Sequence, residues 1–130
     1  MKLLLATTAI FTLLLSACSS GLSGADKEAA SEFPELKGAI EAWSTMQDAA
    51  ERKDCETFMN HMRLATKTTE ADCPAAFDFM NKGYTIDWSR SEWNASSGKV
   101  KIYVEDSGSL TAFILNGATD VWGADSKFWE

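Results

Sequence analysis

The most reactive side chains in this chain are three thiols, Cys18, Cys55 and Cys73. A thiolate is a nucleophile and a metal ligand, and a thiol pair can close a disulfide. Cys18 ends a tract with a distinctive order. Lys2 comes first, then an apolar run from Leu3 to Leu15, then the small residues Ser16 and Ala17. The run is shorter than the ~20 residues a membrane-spanning helix needs. A basic start, a short apolar core and a small-residue exit are the marks of a cleaved export signal. His61 is the single histidine. On the helix predicted around it, it falls beside the apolar stripe and not within it, and nothing in the sequence supplies a Ser or Cys partner for a catalytic dyad. Two cysteines and one histidine without C-x-x-C spacing make a poor zinc site. No G-x-S-x-G, H-E-x-x-H, Walker or dinucleotide motif occurs. No catalytic residue, metal or cofactor is therefore expected.

The order Leu15-Ser16-Ala17-Cys18 resembles the lipobox of bacterial lipoproteins, a likeness that covers residues 1–20. It implies that residues 1–17 are a signal peptide and that the Cys18 thiol receives a diacylglycerol. Cleavage before Cys18 and acylation of the new amino group would follow. Several chains are needed, because one acyl chain binds membranes only marginally. The alternatives are a plain signal peptide or an uncleaved anchor with an incidental cysteine. Ser19 is a non-acidic residue after the cysteine, which in families with lipoprotein sorting favours the outer membrane. The domain would then face the periplasm or the cell surface. With Cys18 assigned to lipid, Cys55 and Cys73 remain. An exported chain folds where disulfides persist, so they are expected to form one bridge, with free thiols or a metal or redox pair as alternatives.

Removing residues 1–17 from a chain of 130 leaves 113, enough for one domain. That part carries 11 basic and 19 acidic residues, a formal charge of −8. Without a basic cluster to neutralise phosphates, nucleic acid is not an expected partner.

Residues 18–32 are rich in small and polar types and read as a lipidated cysteine on a flexible tether. From Phe33 to Arg52, Leu36, Ile40, Trp43, Gln47 and Ala50 repeat at helical spacing, with Ala39 and Met46 beside them. Asp54 is suited to cap a second helix through Leu64, with Cys55, Phe58, Met59 and Met62 inward. Asp72-Cys73-Pro74 opens a third helix, with Cys73, Ala76, Phe77 and Met80 inward. After Lys82-Gly83 the period becomes two. Strands are predicted from Tyr84 toward Trp93, around Val100–Val104, over Ser109–Leu115 and over Ala118–Trp122, each followed by turn residues. A short last piece spans Lys127–Glu130. The expectation is an α+β domain over residues 33–130, with three N-terminal helices packed on a curved four-stranded antiparallel sheet.

That order resembles the nuclear transport factor 2-like, or cystatin-like, cone shared with ketosteroid isomerase. The likeness is carried by Ala39-Ile40-Glu41-Ala42-Trp43 and by the stretch from Ala49 through Asp54-Cys55 to Phe58. Small exported lipoproteins of this superfamily often place one cysteine at the second helix and one at the third, as Cys55 and Cys73 stand here. The superfamily includes enzymes, ligand binders and interaction domains, so the fold alone does not define the function. Its isomerase branch uses a carboxylate base and convergent donors. Here Asp87 falls on the parity opposite to Tyr84, Ile86 and Trp88, and Tyr84 alone makes no oxyanion hole. No catalytic residue is carried over.

Five Trp and seven Phe are many for so short a chain. With Val100, Ile102 and Val104 toward the helices, Tyr103 faces outward, and Phe113, Leu115 and Trp122 are assigned to the same outer sheet face. Exposed apolar patches mark partner sites, and cone-fold relatives often dimerise through this face. The alternatives are burial of these residues under the C-terminal segment (Phe128, Trp129) and an aromatic platform for sugars. The expected function is a membrane-anchored binding or interaction module of the cell envelope, meeting a second copy or an envelope protein. The rival readings are a binder of a small apolar molecule inside the cone and an isomerase- or cyclase-like enzyme.

Overall fold

The computed structural model describes residues 22–130. The expected signal peptide, the expected lipid attachment at Cys18 and Ser19, read as a sorting residue, lie outside the described residues. The chain is α+β, with helices α1 (Gly24–Glu32), α2 (Lys37–Arg52), α3 (Cys55–Asn60) and α4 (Cys73–Met80). The strands β1 (Glu92–Asn94), β2 (Lys99–Tyr103), β3 (Ser109–Asn116) and β4 (Val121–Ala124) form one open antiparallel sheet in sequence order. Among the described residues there are thus four helices where three were expected.

The additional helix lies in the expected tether. Ser23 caps it by accepting from the Asp26 N–H at 3.2 Å, and Ala25 to Ala30 are mostly good helix formers. The long helix α2 follows the predicted stripe. Leu36, Ile40, Trp43 and Ala50 are buried, with Ala39, Ala42, Met46 and Ala49 beside them, whereas Gln47, expected on the stripe, is only half-buried. Lys53 ends it in a left-handed conformation, and Asp54 caps α3 by accepting from the Thr57 N–H at 3.1 Å. Cys55 and Cys73 are disulfide-bonded, with Cα atoms 5.9 Å apart, and so tie the starts of α3 and α4.

The strand expected from Tyr84 toward Trp93 is broken in the middle. Ile86 makes only an isolated bridge to Val104. The Asp87 carboxylate then accepts from the Ser89 hydroxyl at 2.6 Å and from Arg90 Nε at 3.0 Å. These bonds hold residues 88–91 in a turn, and pairing resumes only at Glu92. Such local side-chain bonds compete with sheet pairing. Ile86 and Trp88 are buried as the alternation predicts, whereas Tyr84 stacks on Phe79 at 4.6 Å and is exposed. The short last piece is no strand: Phe128 packs on Trp43 and Phe79, and Trp129 on Phe58. The C-terminus therefore covers the helical side of the core and not the outer sheet face.

Candidate functional site

Which face each strand residue occupies depends on register. Val100 pairs with Phe113 and Phe113 with Ala124, and all three are fully buried against the helices. The β2–β3 ladder shifts by one residue between Ile102 and Tyr103, the position of a bulge. A one-residue shift exchanges the two faces of a strand. It brings Thr111 and Phe113 inward and turns Ala112 and Ile114 outward, while Leu110, the extra residue, stays partly packed on the core. Phe113 was expected on the outer face; it is a core residue with 0% exposure.

Leu115 and Trp122 pair across β3 and β4 and share the helix-facing side with Phe113. Leu115 is 40% exposed, and Trp122, with α2 against its indole, is half-buried. Trp93, which pairs with Val100, faces the same way from β1 and is 43% exposed. Strands β1 and β4 are the two sheet edges, three spacings apart, or ~14 Å in a flat sheet. Yet the Trp93 and Trp122 rings meet edge-on at 6.4 Å between centroids. The two long side chains lean toward each other across the helix-facing side of the sheet. Tyr103 is not part of this group. It lies on the opposite face, with the Arg90 guanidinium 5.1 Å and the Lys101 ammonium 5.9 Å from its ring centroid.

Several contacts position Trp122. A Cβ built on Gly38 of α2 would overlap its indole, so the helix approaches the ring through a glycine. His61 Nδ1–H donates to the Trp122 carbonyl at 3.0 Å, and because a carbonyl only accepts, this contact assigns the tautomer. The backbones of His61 and Arg63 also bond to Ala124, at 2.8 and 2.9 Å, and so cover the free edge of β4 at its last residue. This strap carries Leu64 outward at 91% exposure, above a hollow of about 220 Å³ that Leu115 and Val121 also line. Sequence reasoning missed Trp93 and Leu64. Trp93 could have been found by its parity with the inward Val100 once the hairpin at Asn94–Gly98 was recognised; no sequence signal marks Leu64.

Titratable groups do not converge at this rim. The displaced carboxylates belong to caps and turns. Asp54 is held below the ordinary carboxylate value by the Thr57 hydroxyl and N–H, and more weakly by Arg52. Asp72 is lowered by the Thr69 N–H and then by Lys127, whose ammonium lies 3.2 Å away. Asp87 is lowered by the Ser89 hydroxyl and then by Arg90. Phe58, Phe113, Ile40, Met46, Ile102 and Val100 are the largest fully enclosed side chains of the interior. Its one buried polar side chain among the described residues, Thr111, shares a hydrogen bond with Ser126 at 2.7 Å. Among the described residues no cluster of His, Cys, Asp and Glu could hold a metal ion, and no helix is long and apolar enough to cross a membrane.

No protein-family model, no curated protein and no solved structure matches this chain.

Proposed function

We propose that the protein is a lipoprotein of the cell envelope, anchored through Cys18, whose domain is a protein-interaction module. The observation that carries the interaction reading is the rim where the exposed Trp93 and Leu115 flank the half-buried Trp122 on the helix-facing side of the sheet. Aromatic residues clustered at an exposed apolar edge are the usual anchors of protein interfaces. Among the described residues the buried side chains are apolar apart from Thr111, which supports this reading over the small-ligand and isomerase-like ones, since those need convergent polar groups in an internal cavity. The anchor reading rests on Leu15-Ser16-Ala17-Cys18 behind its apolar run. Ser19 favours the outer membrane in an organism that has one. The partner is an envelope protein or a second copy of the chain. A nuclear transport factor 2-like relationship is supported by the long helix, the two shorter disulfide-tied helices and the antiparallel sheet that follows them.

Photo-crosslinking of the full chain in its host tests the interaction reading. A benzophenone side chain at Leu115 should give a discrete adduct that Trp122→Asp abolishes, and the same probe at Lys101 on the opposite face should give none. Equal labelling from both positions, or none from Leu115, would overturn it. In parallel, Cys18→Ala should move the folded domain out of the membrane fraction.

A further inference from the structure

The helix nearest the anchor is held to the domain by little. Of the nine residues of α1 only Ala30 is buried, with Ala29, the preceding Leu22 and the following Phe33 partly packed. Among the described residues, one side-chain hydrogen bond ties this helix to the rest of the domain: Trp88 Nε1–H donates to Asp26 Oδ1 at 3.3 Å. By contrast, α2 buries seven residues. A helix as short as α1 is marginal in water on its own. Segments with few buried contacts open locally, without unfolding the core.

The consequence is one of reach. With α1 docked, the chain from Cys18 to Leu22 spans at most ~14 Å. With α1 released and unwound, the chain from Cys18 to Phe33 can extend to ~50 Å. We propose that α1 is a releasable strap that sets how far the domain stands from the bilayer, latched by the Asp26–Trp88 bond. The role in reach rests on the lipid attachment at Cys18. Docked, the strap holds the domain close to the membrane; released, it lets the aromatic rim meet partners farther from the surface.

Hydrogen exchange followed by mass spectrometry, on the mature lipidated protein in nanodiscs of phosphatidylethanolamine and phosphatidylglycerol, tests the strap. Amides of Lys27–Phe33 should be protected relative to an unstructured chain, yet exchange at least ~100-fold faster than those of Ala42–Ala50. Asp26→Ala should speed α1 exchange by about fivefold, the effect of losing one modest hydrogen bond, and leave α2 unchanged. Exchange of α1 in step with α2, no protection at all, or no response to Asp26→Ala would each overturn the proposal. The intact mass of the same sample reads the lipid separately. An unmodified Cys18 would remove the anchor, while the exchange data would still decide whether α1 opens.

Discussion

Gly38 on α2 and Trp122 on β4 lie so close that a single Cβ cannot fit between them. This contact joins the start of the long helix to the last strand and sets the edge of the aromatic rim. A helical glycine is ordinarily less stable than alanine by ~1 kcal/mol, so its presence in the first turns of α2 needs a steric reason, and the indole supplies it.

Gly38→Ala should therefore destabilise the domain by ~1–3 kcal/mol, the usual range for overpacking, despite the better helix propensity of alanine. Gly24→Ala, with nothing near its Cβ position, should be neutral or slightly stabilising. Urea denaturation of both variants checks the contrast. A stabilised Gly38→Ala would show that the helix and the indole do not touch.

Phe113→Ala should cost ~3–5 kcal/mol, whereas Leu115→Ala two positions along the same face should cost less than about half of that. Tyr103→Ala should cost little, since its half-buried ring lies outside the core, against Arg90 and Lys101. Denaturant midpoints for the three variants read the register directly. A large loss at Tyr103 with a small one at Phe113 would place the bulge elsewhere.

The helical half was legible in the sequence because a helix stripe is a local property. Leu36, Ile40 and Trp43 declare their face by spacing alone, and Cys55 and Cys73 each open a helix with its own inward set. The faces of β3 were not legible for the same reason. Both parities of β3 are apolar, so the choice between Phe113 and Ile114 rests on a bulge between Ile102 and Tyr103 that no residue announces. The strand break at Ser89–Ser91 is a side-chain effect of Asp87, invisible to an alternation count. The helix α1 was hidden by composition. Ser and Gly residues suggest a tether, while Ser23 with Asp26 three residues on is also a helix-start signal.

Reducing the Cys55–Cys73 bond, or replacing both residues with Ser, should lower stability by ~3 kcal/mol. The bond closes a loop with a sequence separation of 18 and fastens α3 to α4. Urea midpoints with and without a reductant check this; equal midpoints would mean that the helices hold each other without it.

Acid should destabilise the domain through Asp54, Asp72 and Asp87. Their folded-state values lie below the ordinary 3.8, so their contribution is complete above that value. As the pH falls through 3.8 the unfolded chain takes up protons first, and the contribution fades until the depressed folded values are passed. Denaturant midpoints should be level from about pH 6 to 5 and fall below pH 4. Asp72→Asn should flatten part of that fall, and an unchanged profile would show that the Thr69 N–H and Lys127 contacts carry nothing.

The central claim is a domain held at the membrane by lipid on its first mature residue. Intact mass spectrometry of the protein extracted from host membranes tests it in one spectrum. The account predicts a chain beginning at Cys18, carrying a diacylglycerol on sulfur and an acyl chain on the amino group, and two hydrogens lighter than its reduced form. A chain still beginning at Met1, or one cut elsewhere and free of lipid, would contradict it.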